Sequence, residues 1–328
     1  MAGEQDCHKT MDVLIVEPLD ADVLQWLQER HTVCWAPHLA NDPRSFRQAL
    51  RDVRAVVLPP SAAVDAQTLA AAPLLRAVGR LSAGAENIDL EACAMAGVEV
   101  VRPTTASAAA EAEFVIGALL QLLRRVPVLS AEGLMVGREL GGSVVGIVGM
   151  VPTAKPLAEL LRAFGARVIG YDPALHISDP LWERWGVAPM GLRELMRESD
   201  GVGVLLTYFT RYRGLFGERF LSECKADQVL VSLAHSSLFD ETALADVLIS
   251  GRMAAVWFDS MEPGMLDPGT PLYRAGGVQV TPRVASTTVQ SRQRSAWAVA
   301  RRIDELLSPV PDTPEDVIEQ PAALGAAE

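Results

Sequence analysis

The segment of residues 144–172 constrains the fold of this chain more than any other stretch. It begins with the apolar run Val144–Val148, which predicts a buried strand, and continues through a turn at Gly149. Apolar residues then recur at helical spacing, at Leu157, Leu160, Leu161 and Phe164. Gly165 ends that helix, and Arg167–Tyr171 is a second apolar run. This order predicts a βαβ unit, in which a crossover helix joins two parallel strands.

The turn of this unit departs from the glycine pattern of dinucleotide-binding proteins. That pattern, G-x-G-x-x-G, reads here Gly149-Met150-Val151-Pro152-Thr153-Ala154. The β-branched Val151 replaces the glycine that lets the backbone approach a pyrophosphate, and Pro152 removes one backbone N–H from the helix start. Asp172, 23 residues after Gly149, stands where an acidic residue meets the adenosine ribose. Two hypotheses stay open: a unit that binds a dinucleotide, and a unit that packs without one.

Composition and charge exclude several classes of protein. The 328 residues predict about two domains, and 49% hydrophobic residues are enough for two cores. The net charge is −12 and the basic residues form no long cluster, so we expect no nucleic acid as partner. No apolar run approaches the roughly 20 residues of a membrane span, and the first residues lack the apolar centre of a signal peptide. We therefore expect a cytoplasmic protein without membrane contact.

The positions of cysteine and histidine predict neither a disulfide framework nor a metal site. No C-x-x-C spacing occurs among the four cysteines, which are therefore expected to be isolated thiols: Cys7, Cys34, Cys93 and Cys224. The five histidines are scattered and include no H-x-x-x-H pair. We therefore expect no bound metal ion.

Strands and helices alternate through the rest of the chain. Strands are predicted at 12–17, 55–58, 75–78 and 98–101, so the first hundred residues indicate a parallel α/β domain. A long apolar helix is predicted over Ala108–Arg125. Further buried strands follow, at 201–206, 228–233, 256–258 and 278–281. The last predicted helix runs over Thr288–Leu307. We expect a loose leader at residues 1–10 and a disordered, Pro-rich tail at residues 309–328.

Several sequence motifs occur together in an order that one enzyme family shares. They are Ser82–Asp89, Ala112-Glu113 in the long helix, Leu161–Pro173, Ser199–Gly217, Leu238–Leu244 and Thr281–Ala285. With these motifs, residues 12–307 resemble the NAD-dependent D-2-hydroxyacid dehydrogenases. The resemblance implies an α/β fold of two flavodoxin-like or Rossmann-like domains with parallel sheets. The smaller, substrate-type domain would comprise residues 11–104 and 287–308, with the dinucleotide-binding domain inserted at 105–286.

The resemblance also implies a cofactor, a partner and a set of binding residues. NAD would be the cofactor, and the Asp172 carboxylate favours NAD over NADP because it repels a 2′-phosphate. The substrate-facing loop would be formed by Ser82, Ala83 and Gly84. Members of the family are usually homodimers that meet through the cofactor domain and its long helix. The residues expected near the cofactor are Gly149, Val151, Pro152, Thr153, Asp172, Thr207, Ala234 and Asp259.

All three catalytic positions of the family are changed in this chain. The family's arginine, which holds the substrate carboxylate, corresponds to His235, and its proton-exchanging histidine corresponds to Arg283. The family's glutamate, which tunes that histidine, would stand five residues after Asp259, where this chain has Gly264. A shifted Glu262 could partly replace it if the local backbone is rearranged. Histidine and arginine have thus exchanged positions that, in the family, face each other across the substrate cleft.

This exchange supports three hypotheses of function. In the first, the chain is an oxidoreductase with a rebuilt site, in which Arg283 binds a small anionic 2-hydroxy or 2-oxo acid and His235 exchanges the proton. In the second, it is a catalytically inactive homologue that serves as a binding or regulatory dimer. In the third, His235 and Arg283 transfer protons without a cofactor. Absence of NADH binding would exclude the first hypothesis.

Overall fold

The structure is a computed structural model of the chain, and it describes residues 11–82, 84–85, 87–125, 128–129 and 133–308. The chain divides into two units. The first contains residues up to 79, residues 85–101 and residues from 300 onward, and the second contains residues 80–84 and 102–299. The leader predicted at residues 1–10 and the disordered tail predicted at 309–328 lie outside the described residues.

The first unit is a parallel sheet with helices between its strands. Its strands are β1 (Met11–Ile15), β2 (Val33–Trp35), β3 (Val53–Val57), β4 (Ala77–Gly79) and β5 (Glu99–Val101). Its helices are α1 (Ala21–Gln28), α2 (Pro43–Ala49), α3 (Ala66–Ala71) and α4 (Leu90–Met95). The strand order is β2-β1-β3-β4-β5, which is the flavodoxin-like order. The central strands are apolar on both faces, as a parallel sheet covered by helices requires.

The second unit begins with the long helix α5 (Ala108–Arg125) and a small antiparallel hairpin, β6 (Val128–Leu129) and β7 (Met135–Val136). Its main strands are β8 (Val144–Val148), β9 (Arg167–Tyr171), β10 (Ala188–Pro189), β11 (Gly201–Val204), β12 (Gln228–Ser232), β13 (Met253–Phe258) and β14 (Val278–Val280). The connecting helices are α6 (Ala154–Ala163), α7 (Pro180–Trp185), α8 (Leu192–Glu198), α9 (Glu218–Leu221), α10 (Glu241–Ile249) and α11 (Pro271–Ala275). The last described helix is α12 (Val289–Leu307).

The seven main strands of the second unit pair in parallel, in the order β10-β9-β8-β11-β12-β13-β14. The chain moves outward from β8 through β9 and β10, and then in the opposite direction through β11 to β14. Ligands of such sheets bind at the carboxyl ends of the strands where the direction reverses, which here are β8 and β11. The loops after β12, β13 and β14 lie side by side, because these three strands are neighbours.

The predicted fold class is confirmed, and so are most of the predicted elements. Helix α5 and strands β8 and β9 have the predicted bounds, because each has an uninterrupted apolar pattern between clear turn residues. Strands β2, β6, β7 and β10 are absent from the sequence prediction. Each has three residues or fewer, too few for a periodic pattern to show.

The domain boundaries differ from those expected at 104/105 and 286/287. The structure divides the chain at 101/102 and 299/300, and residues 80–84 group with the second unit. The second boundary lies at 299/300, inside α12, which is one continuous helix of 19 residues. The first half of this helix groups with the second unit and its second half with the first unit. In its first half, the Arg294 Nε donates a hydrogen bond to the carbonyl of Ala106 in the second unit. In its second half, Arg302 donates two hydrogen bonds to the Glu99 carboxylate in the first unit.

Two findings bear on the predicted thiols and on membranes. Cys93 and Cys224 are free and buried, and burial raises the pKa of the Cys224 thiol to about 12. Cys34 is disulfide-bonded, so the prediction of isolated thiols is wrong for this residue. Pairing depends on distance in the fold, which spacing along the chain does not reveal.

Among the described helices, none has the length and apolar character that a membrane span needs.

Candidate functional site

The turn between β8 and α6 passes close to the chain that leaves β11. Gly149 has a φ of +102°, a conformation that favours glycine. A Cβ atom at this position would lie 2.5 Å from the backbone nitrogen of Leu206 and 2.6 Å from its Cα. Two constraints therefore require glycine at position 149: the positive φ, and the close approach of the Leu206 backbone. The tight turn lies where the strand order reverses.

The next residues of this turn offer few backbone donors to a phosphate group. Val151 is half-buried and packs against the core around α6, Pro152 is exposed, and Thr153 is buried. Pro152 has no N–H, and a second proline, Pro156, removes another N–H in the first turn of α6. The start of α6 therefore presents fewer N–H groups to an anion than an ordinary helix start does.

Asp172 directly follows β9 and lies beside the same turn. One of its carboxylate oxygens accepts the N–H of Met150 at 2.7 Å, and the other accepts the N–H of Ala174 at 2.8 Å. Each oxygen has a second lone pair, which remains available to a hydroxyl donor such as a ribose. Two backbone N–H groups therefore orient the Asp172 carboxylate. The carboxylate can still accept a hydrogen bond from a ribose hydroxyl, which is its predicted role.

His235 follows β12, and neighbouring groups hold its imidazole in place. The ring stacks on Tyr208, with centroids 4.7 Å apart and 25° between the ring planes. The N–H of Ser237 donates to Nδ1 at 3.3 Å, which assigns the proton of the neutral ring to Nε2. Nε2 lies 3.6 Å from Oε1 of Glu262. The Glu262 carboxylate is therefore the acidic group beside this imidazole.

Glu262 is held beside His235 by bonds within the loop that follows β13. The Glu262 N–H donates to Oγ of Ser236 at 3.0 Å, and its Oε2 accepts the Ser237 hydroxyl at 2.9 Å. Gly264, at the position of the family's glutamate, has a φ of +90°, so the chain turns there in a way that favours glycine. The carboxylate beside the His235 imidazole belongs to Glu262, two residues before Gly264 in the chain.

Arg283 follows β14 and contacts the beginning of the same loop. Its backbone N–H donates to the carbonyl of Asp259 at 2.6 Å, and its Nε donates to the Ser260 hydroxyl at 3.0 Å. Its φ of +55° is uncommon for a residue other than glycine and indicates local strain, a feature that clusters at functional sites. The side chain is exposed, and its Nη atoms make no hydrogen bond within the described part of the chain.

Asp259, expected near the cofactor, has a clear role in the fold. Its buried carboxylate accepts the Thr281 hydroxyl at 2.8 Å and the N–H groups of Val284 and Ala285 at 2.9 and 3.0 Å. These bonds anchor the turn that carries Arg283. A contact of Asp259 with a cofactor stays a prediction.

The remaining predicted site residues lie in loops of the second unit. Ala234 is buried after β12, and Thr207 is exposed after β11. Ser82 is exposed and Gly84 is half-buried, while Ala83 lies outside the described residues. Their contacts with a ligand stay predictions. In the part of the chain that the structure describes, no group of three or more His, Cys, Asp or Glu side chains is placed to hold a metal ion.

One contact of the site does not follow from the sequence pattern. The hydroxyl of Thr153, at the start of α6, donates a hydrogen bond to the Glu111 carboxylate of α5. The two residues are 42 positions apart, and no motif links them. The signal in the sequence that could have pointed to this contact is an acidic residue, Glu111, in the first turn of the long helix.

The comparison with protein families agrees with the fold and with the position of the turn. Residues 118–285 match the family described as D-isomer specific 2-hydroxyacid dehydrogenase, NAD binding domain. The chain belongs to this family. The resemblance seen in the sequence is thereby confirmed, and the matched region contains the turn after β8, Asp172, His235 and Arg283.

Individual relatives extend the likeness to nearly the whole chain. The D-3-phosphoglycerate dehydrogenase of Mycobacterium tuberculosis is 30% identical over 301 residues, which are 89% of this chain and 56% of that protein. The (S)-sulfolactate dehydrogenase of Chromohalobacter salexigens is 28% identical over 305 residues, 90% of this chain and 98% of that protein. Apo D-mandelate dehydrogenase of Rhodotorula graminis has a similar fold, with a TM-score of 0.75 at 21% identity, covering 92% and 98% of the two chains. This chain spans about half the length of the phosphoglycerate dehydrogenases that it matches.

NAD is the cofactor of the matched domain, and the residues of this chain fit it in part. The turn at Gly149 is tight, and Asp172 keeps free lone pairs at the ribose position. The pyrophosphate position is altered, because Val151 stands where the family's second glycine would be and two prolines follow. The adenosine side of the site therefore fits NAD better than the pyrophosphate side does.

Proposed function

We propose that this chain is an NAD-dependent oxidoreductase that acts on a small anionic 2-hydroxy or 2-oxo acid through an exchanged pair of catalytic residues. In this proposal Arg283 binds the substrate carboxylate, and His235, supported by Glu262, exchanges the hydroxyl proton. Relatives that are named for phosphoglycerate and sulfolactate support a substrate of this class. Family membership supports NAD as the acceptor or donor of the hydride.

The distance of 3.6 Å between His235 Nε2 and Glu262 Oε1 carries the proposal. A histidine beside a carboxylate is a combination that general acid–base catalysis uses, because the carboxylate orients the imidazole. When bound, NADH would supply the hydride to the oxo carbon. His235 would supply the proton that the carbonyl oxygen gains as it becomes the product hydroxyl, and the ring would pass from imidazolium to neutral imidazole. In the oxidation direction His235 takes the same proton back.

Arg283 has the properties that a carboxylate-binding residue needs. Its guanidinium stays charged at all accessible pH values and can donate two parallel hydrogen bonds to a carboxylate. The bond from Nε to Ser260 fixes the orientation of the group, while the Nη atoms remain available to a ligand. The Asp259 carboxylate, through its bonds to residues 284 and 285, holds the backbone of this turn.

The test is NADH oxidation with glyoxylate and pyruvate by the wild-type protein and by His235→Ala and Arg283→Ala. We expect His235→Ala to lower kcat about 100-fold, because a general acid contributes roughly that much. We expect Arg283→Ala mainly to raise KM, because it removes the anchor of the carboxylate. His38→Ala and Arg274→Ala, which change exposed residues of the same types, are the matched controls. Turnover that survives in the double variant His235→Ala/Arg283→Ala would contradict the exchanged site.

A binding or regulatory protein without turnover is the second candidate. The half-buried Val151 and the two prolines of the turn favour it, because they weaken the pyrophosphate site. Ligand-dependent stabilisation of the wild-type protein by a 2-oxo acid, without oxidation of NADH, would favour this candidate over the first. Proton exchange at the carbon next to the oxo group without NADH would favour a cofactor-independent enzyme.

A further inference from the structure

The start of α6 is already in contact with a negative charge that belongs to the protein. The Thr153 hydroxyl donates to Oε2 of Glu111, and Thr153 is 3% exposed. Thr153 is the residue before the first turn of α6, yet its side chain does not cap that helix. Its hydroxyl is directed to the Glu111 carboxylate instead. Glu111 is itself half-buried in the first turn of α5.

A carboxylate at this place competes for what a dinucleotide needs. In a βαβ unit the pyrophosphate lies at the start of the helix that follows the first strand, where unpaired N–H groups and the helix dipole favour an anion. In this chain Pro152 and Pro156 have removed two of those N–H groups. The Glu111 carboxylate accepts the Thr153 hydroxyl, so a negative charge of the protein already lies beside this helix start.

Among the described residues, the Glu111 carboxylate makes no ion pair with a lysine or arginine. Lys155, in the first turn of α6, is exposed. Two like charges about 4 Å apart in a partly buried site repel each other strongly, since water screens them less there than at the surface.

We propose that Glu111 is an internal anion that competes with the pyrophosphate of NAD for the start of α6 and so sets a low affinity for the cofactor. Binding of NAD then requires the carboxylate to leave Thr153. This inference rests on the NAD-binding domain, not on the exchanged pair His235 and Arg283. It shares NAD binding with the proposed function, but a change in NADH affinity tests it even if His235 and Arg283 catalyse no reaction.

Calorimetric titration with NADH tests the proposal without any turnover. Glu111→Gln keeps the size of the side chain and an oxygen that accepts from Thr153, so the local packing is retained. We expect this variant to bind NADH at least about tenfold more tightly than the wild type, because one negative charge next to the pyrophosphate is lost. Glu113→Gln, an exposed position on the same helix, makes the same change in net charge and is expected to bind like the wild type.

The outcomes separate clearly. Tighter binding by Glu111→Gln alone, or binding that first becomes measurable in this variant, supports the proposal. Equal affinities of the wild type and Glu111→Gln, or an equal gain in Glu113→Gln, would overturn it. Weaker binding by Glu111→Gln would also overturn it, and would indicate that Glu111 accepts hydrogen bonds from the cofactor. If neither protein binds NADH at millimolar concentration, the charge of Glu111 is not what limits binding and the proposal fails.

Discussion

Val151 is the residue at which the turn between β8 and α6 departs most from a dinucleotide site. Its side chain packs against the core around α6, so it is part of the fold as well as an obstacle to a ligand. Its effect is steric, because a β-branched side chain keeps a pyrophosphate away from the backbone. The effect of Glu111 on the same turn is electrostatic. The two residues therefore act by separate means on the same turn.

Val151→Gly is expected to tighten NADH binding about tenfold, or roughly 1.4 kcal/mol, because the backbone becomes accessible to the pyrophosphate. The measurement is a fluorescence titration with NADH. Val151→Ala, which removes the branch but keeps Cβ, is the control and should lie between the glycine variant and the wild type. An unchanged Kd in Val151→Gly would show that the side chain does not hinder the cofactor.

At the scale of elements, the unit β8-α6-β9 keeps its geometry although its ligand-facing residues have changed. Apolar periodicity and the glycines at its two ends are local properties, and they predict its bounds from the sequence. The position of Gly149 against the chain after β11 is not local. It follows from the pairing of β8 with β11, which are more than 50 residues apart in the sequence.

Gly149→Ala is expected to lower the free energy of unfolding by about 3 kcal/mol or more, because the new Cβ would collide with the backbone of Leu206. The measurement is equilibrium unfolding in urea. Gly142→Ala is the matched control, since Gly142 also has a positive φ, of +77°, but nothing lies within 4 Å of its Cβ position. We expect this control to lose only about 1 kcal/mol. Equal losses in both variants would mean that the backbone angle alone is responsible.

At the scale of the whole molecule, the chain leaves its first unit, builds a second and returns through α12. We propose, from the family resemblance, that two copies associate through the second unit and its long helix. Apolar side chains are exposed there: Leu120 on α5 is 37% exposed, and Met135 on β7 is 73% exposed. Exposed large apolar side chains can mark an interaction surface where they are contiguous.

Met135→Asp is expected to weaken self-association at least about tenfold, because it places a charge in a surface that a partner would bury. Sedimentation equilibrium measures the change. Met95→Asp, on α4 of the first unit, introduces the same charge at a methionine that is 84% exposed, and it should leave the association unchanged. A wild-type protein that sediments as a monomer at micromolar concentration would contradict the proposed dimer.

The sequence by itself determined the alternation of strands and helices, the fold class and the positions at which this chain differs from its family. These depend on periodicity, glycine turns and motif spacing, all of which are written in short stretches of chain. The sequence therefore predicts that His235 and Arg283 are an exchanged pair, and their catalytic roles stay a prediction. It also predicts that Glu262 could support the site only if the local backbone is rearranged.

Only the tertiary structure decided which side chains meet. Glu262 reaches His235, and Arg283 reaches Ser260, because β12, β13 and β14 are parallel neighbours whose following loops lie at one edge of the sheet. Glu111 reaches Thr153 because the start of α5 lies against the start of α6. Such contacts join residues 23 to 42 positions apart, and their partners are set by strand order and helix packing rather than by local pattern.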